Sequence, residues 1–186
     1  VVLNGQGIAN NITQVAFNVP SAFGSAVTTM VSMNIGAENP RKAKESMVHG
    51  TSLSALTAAI LIAIIVPLSS RLTVLFTRRP DVLEIANRAL HIYTYSVIGF
   101  GITTTIQGAF IGLGRTKVPL ILGILRIWLL RYVFILLTEK YLQYYAVFWG
   151  NLFSNYASAL IAIVLISKTK WESAIGKSMQ LEVASA

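Results

Sequence analysis

The stretch Thr51–Leu68, TSLSALTAAILIAIIVPL, carries no charged residue and is almost wholly Ala, Leu, Ile and Val beyond Leu56. As a helix rising 1.5 Å per residue it covers most of a bilayer's hydrocarbon core, which takes about 20 residues to cross. Four more runs of similar character flank it. The spacing predicts spans at about 8–35, 48–68, 89–113, 120–138 and 142–166, followed by a polar tail at 167–186. The fold class is therefore all-α, a polytopic transmembrane helix bundle of about five spans.

Composition agrees. The 186 residues are 54% hydrophobic and 12% charged, with a mean hydropathy of +0.65; a soluble domain carries about 25% charged residues. The net charge of +8 sits in short loops between apolar runs, without interleaved exposed aromatics. Membrane lipid, not nucleic acid, is the partner this distribution implies. The absence of cysteine excludes disulfides, thiolate metal sites and Cys nucleophiles. Ser, His and acidic residues form no catalytic arrangement, and there is no phosphate-binding glycine loop. No catalytic residue, cofactor site or metal site is expected, so the chain is read as not an enzyme. It opens at Val1 directly into helix-like sequence and is read as a fragment of something longer.

Local signals mark the breaks. Gly36-Ala37-Glu38-Asn39-Pro40 makes a turn, Pro80-Asp81 with Glu84 starts a helix, and Gly114-Arg115-Thr116-Lys117 makes a second turn before Pro119. Residues 69–88 read as a connection ending in an interfacial helix. Pro20 and Gly24 lie inside the first span, where a proline kinks a membrane helix without ending it. Arg41, Lys42, Lys44, Arg115, Lys117, Lys168, Lys170 and Lys177 fall on one side, against Arg71, Arg78, Arg79, Arg88 and Lys140 on the other. This bias puts the C-terminus in the cytoplasm of a multi-pass protein.

Polar residues within the spans are the candidates for function. Asn11, Gln14, Asn18, Ser21 and Ser25 share one helical face, and Asn151, Ser154, Asn155 and Ser158 share another. Unpaired amides facing lipid cost several kcal/mol each, on the order of a lost hydrogen bond or more. Both faces must meet protein or water, either as the wall of a hydrated cavity or as helix–helix hydrogen bonds. Arg126 and Arg131 are the charges inside a span. Five residues apart, they lie roughly 140° apart on an α-helix and cannot share a narrow face. Arg131 is close enough to the span's end to snorkel; Arg126 needs a carboxylate, carbonyls or water. Gly108 and Gly112 form a small-residue pair suited to close helix packing, with Gln107 a cavity candidate beside them. His49 and His91 sit near span ends, where a structural role is expected.

Two segments carry a resemblance. One is Phe17-Asn18-Val19-Pro20 followed by Thr28-Thr29 and Asn34-Ile35-Gly36-Ala37-Glu38-Asn39-Pro40-Arg41-Lys42-Ala43. The other is Gln107-Gly108-Ala109-Phe110-Ile111-Gly112-Leu113-Gly114-Arg115-Thr116-Lys117-Val118-Pro119, with Trp128 and Arg131 beyond it. Together with Phe76, Pro80 and Asp81 before the third span, these resemble the multidrug and toxic compound extrusion (MATE) transporters. The resemblance implies twelve helices in two six-helix lobes around a cavity, with this chain similar to helices eight to twelve of the C-terminal lobe. It implies an antiporter of the cell membrane that exports small organic cations or drugs in exchange for H⁺ or Na⁺, with the N-terminal lobe of the same protein as its partner. Asn11, Gln14, Asn18, Gln107, Arg126, Asn151 and Asn155 are then the cavity residues. Some members carry an acidic residue in helix ten; residues 89–113 have none here, so the coupling site is expected elsewhere, and Tyr132-Val133 replaces an Ile-Pro. Two alternatives stand beside this reading. One is a lipid-linked sugar flippase of the same wider superfamily, which Arg126 favours; the other is a non-transporting membrane subunit.

Overall fold

The computed structural model describes residues 2–175. It consists of five long helices: α1 (Val2–Gly36), α2 (Pro40–Val74), α3 (Pro80–Gly112), α4 (Lys117–Leu142) and α5 (Tyr145–Ser167). Of the expected tail, residues 176–186 lie outside the described residues.

The helix starts follow the local signals. Asn39 caps α2, its side chain accepting from the Lys42 N–H at 3.1 Å, with Pro40 in the first position. Pro80 and Asp81 open α3. Gly114 turns the chain out of α3 at φ +72°, where Arg115 N–H reaches the Phe110 carbonyl at 2.8 Å. Pro20 and Pro67 lie inside α1 and α2 without ending them.

The second connection differs from the expectation. It is only 75–79, with no interfacial helix, because α2 stays helical to Val74. Tertiary partners hold its last turns. The Ser69 hydroxyl pairs with His91 Nε2 at 2.7 Å, and Thr73 donates to Asn87 Oδ1 at 2.8 Å.

α3 is the central helix, packed against α1, α2 and α5, while α4 leans mainly on α5. Without an aqueous driving force, helices in lipid associate by close fit of small residues. That fit is visible: a Cβ at Gly108 would overlap the Gly24 carbonyl of α1, and one at Gly112 would lie 2.8 Å from the Thr28 carbonyl. The Gly108–Gly112 pair thus seats α3 on α1, and Thr28 Oγ1 donates to the Gly108 carbonyl at 3.0 Å. Outward faces are apolar, as with Leu56, Ile60 and Ile64 on α2 and Leu136 and Leu137 on α4. α2, α4 and α5 are each long and apolar enough to cross a membrane; α1 and α3 match them in length but carry more polar residues.

Two apolar clusters mark the two ends. One gathers Ile35, Met47, Phe110, Leu122, Ile166 and Trp171. The other gathers Ile85, Leu90, Tyr93 and Phe148. The α1–α2 and α3–α4 turns and the exit from α5 therefore share one end, and their basic residues with them. Between the clusters lies a band of buried hydroxyls and one amide: Thr13, Ser54, Thr94, Thr103, Ser158 and Asn155. Most hydroxyls donate to the carbonyl one turn back, which satisfies them without a partner helix.

Candidate functional site

The middle of α4 is not α-helical. Residues Leu125–Tyr132 form a π-helix, whose hydrogen bonds run from i to i+5. This corrects the expected angular separation of the two arginines. Residues five apart lie closer together around a π-helix than around an α-helix, and Arg126 and Arg131 both turn toward the bundle. Arg131 does not snorkel. Its guanidinium donates to Asn151 Oδ1 at 2.6 Å and to Ser154 Oγ at 3.3 Å. The Asn155 amide also donates to Asn151 Oδ1, at 3.0 Å. The seam continues through Ser158 to Thr103 on α3, whose hydroxyls are 3.1 Å apart. Gly99 makes this approach possible, because a Cβ there would sit 3.0 Å from the Asn155 backbone.

Arg126 lies over the Phe100 ring, 5.2 Å from its centroid, and Phe17 meets the same ring edge-on at 4.9 Å. A cation over an aromatic face gains about 0.5–2 kcal/mol. Arg126 Nε and Asn155 Oδ1 are buried with no hydrogen-bond partner among the described residues. No carboxylate reaches either arginine among the described residues: Glu45, Asp81 and Glu84 pair instead with the exposed Arg41, Arg79 and Arg88 at helix ends. No group of three His, Cys, Asp or Glu side chains gathers there either.

The two polar stripes have different fates. Asn155 on α5 is 1% exposed and Asn151 is half-buried; Asn151 accepts from Arg131 across to α4, while the Asn155 amide bonds Asn151 within its own helix. Asn11, Gln14 and Asn18 on α1 are exposed, and none of their amides bonds a described residue. Ser21 and Ser25 continue that stripe, exposed and bonded only to their own helix. The opposite face of α1, with Ala9, Ala16, Gly24 and Val31, is buried. Gln107 is half-buried, its amide 3.5 Å from the Pro119 carbonyl, a long contact. Spacing alone did not reveal Thr103 or Phe100, since a threonine or phenylalanine in a membrane span is unremarkable until a neighbour is known. His91 takes the structural role expected, through Ser69.

What the arrangement can do is hold two positive charges in the bundle without a negative one, and offer a row of unsatisfied amides on a separate surface. Comparison with known proteins gives the context. The chain is 29% identical over 115 residues to Multidrug and toxin extrusion protein 2 of Oryctolagus cuniculus, covering 62% of this chain and 19% of that protein. It is 25% identical over 167 residues to Protein DETOXIFICATION 31 of Arabidopsis thaliana, covering 89% of this chain and 32% of that protein. The chain thus spans a third or less of these relatives. The helices superpose on the eukaryotic MATE transporter AtDTX14 with a TM-score of 0.88 at 16% identity, over 96% of this chain and 40% of that one, which is a likeness of fold. A family model described as MatE matches residues 1–137, and with most of its length so matched the chain belongs to the MatE family.

Proposed function

We propose that these helices form one wall of the transport cavity of a secondary active antiporter, which exports organic cations or drugs in exchange for H⁺ or Na⁺. The observation that carries this is the α1 stripe. In a multi-pass membrane protein of the MatE family, Asn11, Gln14 and Asn18 cannot face lipid without losing several kcal/mol in total. They find no partner among the described residues, so a water-filled path between this bundle and the rest of the protein accounts for them. The name of the Oryctolagus cuniculus relative, a multidrug and toxin extrusion protein, supports the substrate class. The carboxylates among the described residues stand in turns or near helix ends, none at mid-helix, so in this reading the H⁺ or Na⁺ site belongs to the remainder of the protein, the N-terminal lobe included. The basic ends of α2 and α4 and the exit from α5 face the cytoplasm in this reading, with the protein in the cell membrane. Arg126 gives the flippase alternative little weight, since Phe100 engages it.

The test uses the full-length transporter, with single cysteines at Asn11, Gln14 and Asn18 and a control at Ile64 on the lipid face of α2. A charged methanethiosulfonate reagent should modify all three test positions, inhibit dye export and be blocked by excess substrate, leaving Ile64→Cys untouched. Unreactive cysteines at all three positions would place the stripe against protein and sink the cavity reading.

A further inference from the structure

Between α4 and α5 a groove of about 470 Å³ opens at the end of the bundle that carries the basic loops. Its floor is the buried Phe110 of α3; its walls are Leu122 and Leu125 from α4 and Ile161 and Leu165 from α5. The α4 wall continues from Val118 to Leu125, about 10 Å at 1.5 Å per residue. Ile121 forms the open rim and is 60% exposed. The mouth is different in kind: Arg115 and Lys168 stand there, next to Thr169. Arg115 is held in place by the turn at Gly114, whose φ of +72° a β-branched residue would not adopt, and by a 2.8 Å bond from its guanidinium to Ser173 Oγ. One bond leaves most of its five donors available. Neither Arg115 nor Lys168 makes an ion pair among the described residues.

We propose that this groove binds an anionic glycerophospholipid, with an acyl chain between α4 and α5 and the phosphodiester held by Arg115 and Lys168. The charge at the mouth selects the occupant. A guanidinium fork fits phosphate oxygens bidentately. A depth of aliphatic wall directly below it, in a membrane-spanning bundle, fits a chain attached to that phosphate. The groove itself supplies register more than preference, because an acyl chain leaves other lipid to enter it. Preference comes from the headgroup, and each juxtamembrane cation is worth roughly five-fold in affinity for an anionic surface.

The test titrates the full-length transporter, purified in detergent, with dioleoylphosphatidylglycerol or dioleoylphosphatidylcholine and counts bound lipids by native mass spectrometry. One phosphatidylglycerol should be retained at least ten-fold more tightly than phosphatidylcholine. Arg115→Gln/Lys168→Gln should erase that preference. Ile121→Trp, which fills the rim and leaves the charges intact, should weaken phosphatidylglycerol several-fold, and sn-glycerol 3-phosphate should not compete. Equal retention of the two lipids overturns the proposal, as does a preference that survives loss of both cations. Unchanged binding in Ile121→Trp would mean adsorption to basic surface and not a groove. Competition by glycerol phosphate would mean a site for a soluble phosphate ester. Should the double variant not be monodisperse, Lys168→Gln alone, at an exposed position, decides the charge arm.

Discussion

Asn151 is the hinge of the polar seam, and replacing it tests the seam directly. Its Oδ1 accepts from Arg131 at 2.6 Å and from Asn155 at 3.0 Å, so Asn151→Leu removes two acceptor interactions at once. The first is charge-assisted and worth about 1.5–3 kcal/mol; the second leaves a buried amide donor unpaired at about 1–3 kcal/mol. Both need discounting. Arg131 keeps Ser154 at 3.3 Å and is only half-buried, and hydrogen bonds between membrane helices average about 0.6 kcal/mol. The net expectation is a loss of about 2 kcal/mol, or roughly 4–8 °C in melting temperature for a chain of this size. Asn151→Asp keeps the acceptor and adds a negative charge beside Arg131, with Arg126 on the same side of α4. It should melt at or above the parent temperature. Intrinsic tryptophan fluorescence of the detergent-solubilised protein is a suitable readout, since Trp149 precedes the site by two residues. A melting temperature for Asn151→Leu within 1 °C of the parent would show that the Arg131 bond carries no stability. A drop in Asn151→Asp would show that the arginine charge is already neutralised, and would refute the reading of an uncompensated pair.

Other outcomes are equally direct. Gly108→Val should abolish assembly, because its Cβ would overlap the Gly24 carbonyl, whereas Gly123→Ala, with open space around it, should be neutral or stabilising by up to about 1 kcal/mol; monodispersity on size exclusion separates them, and a well-folded Gly108→Val disproves the α1–α3 crossing. Ser54→Ala removes a buried hydroxyl that has no partner among the described residues and should be neutral or stabilising by about 1 kcal/mol; destabilisation of that size would reveal a bound water. Deleting Leu129 should let the π segment relax to an α-helix in which the two arginines stand four apart, still on one face, so Arg131 keeps Asn151 and the melting temperature stays close to the parent's; a melting loss like that of Asn151→Leu would show that the π register itself seats Arg131. In intact cells, Arg79→Cys should react with an impermeant thiol reagent and Arg115→Cys should not, and the reverse pattern would invert the proposed orientation.

The sequence by itself determined the helical class, several turns and a small-residue pair built for close packing, while the end of α2 at Val74, inside residues that read as a connection, was set by tertiary partners. The former rest on local chemistry: an uncharged run of eighteen residues, Asn39-Pro40 as cap and first turn, Pro80-Asp81, and a glycine at 114. The Gly108–Gly112 pair was legible too, since small residues one turn apart have few uses in a membrane helix besides close packing. Tertiary structure decided what each polar face meets. Periodicity places Asn11, Gln14 and Asn18 on one face, and Asn151 and Asn155 on another, with equal force. Only the neighbours of α1 and α5 decide that the first is exposed and the second is bonded to Arg131. The π segment is the sharpest case. Its sequence, Leu125–Tyr132, carries no helix breaker, so an α-helical repeat sets the two arginines apart. The observed repeat sets them together, with Phe100, Asn151 and Ser154 from two other helices as their partners. A backbone hydrogen-bond register is chosen by the packing of side chains distant in sequence, and no local pattern records that choice.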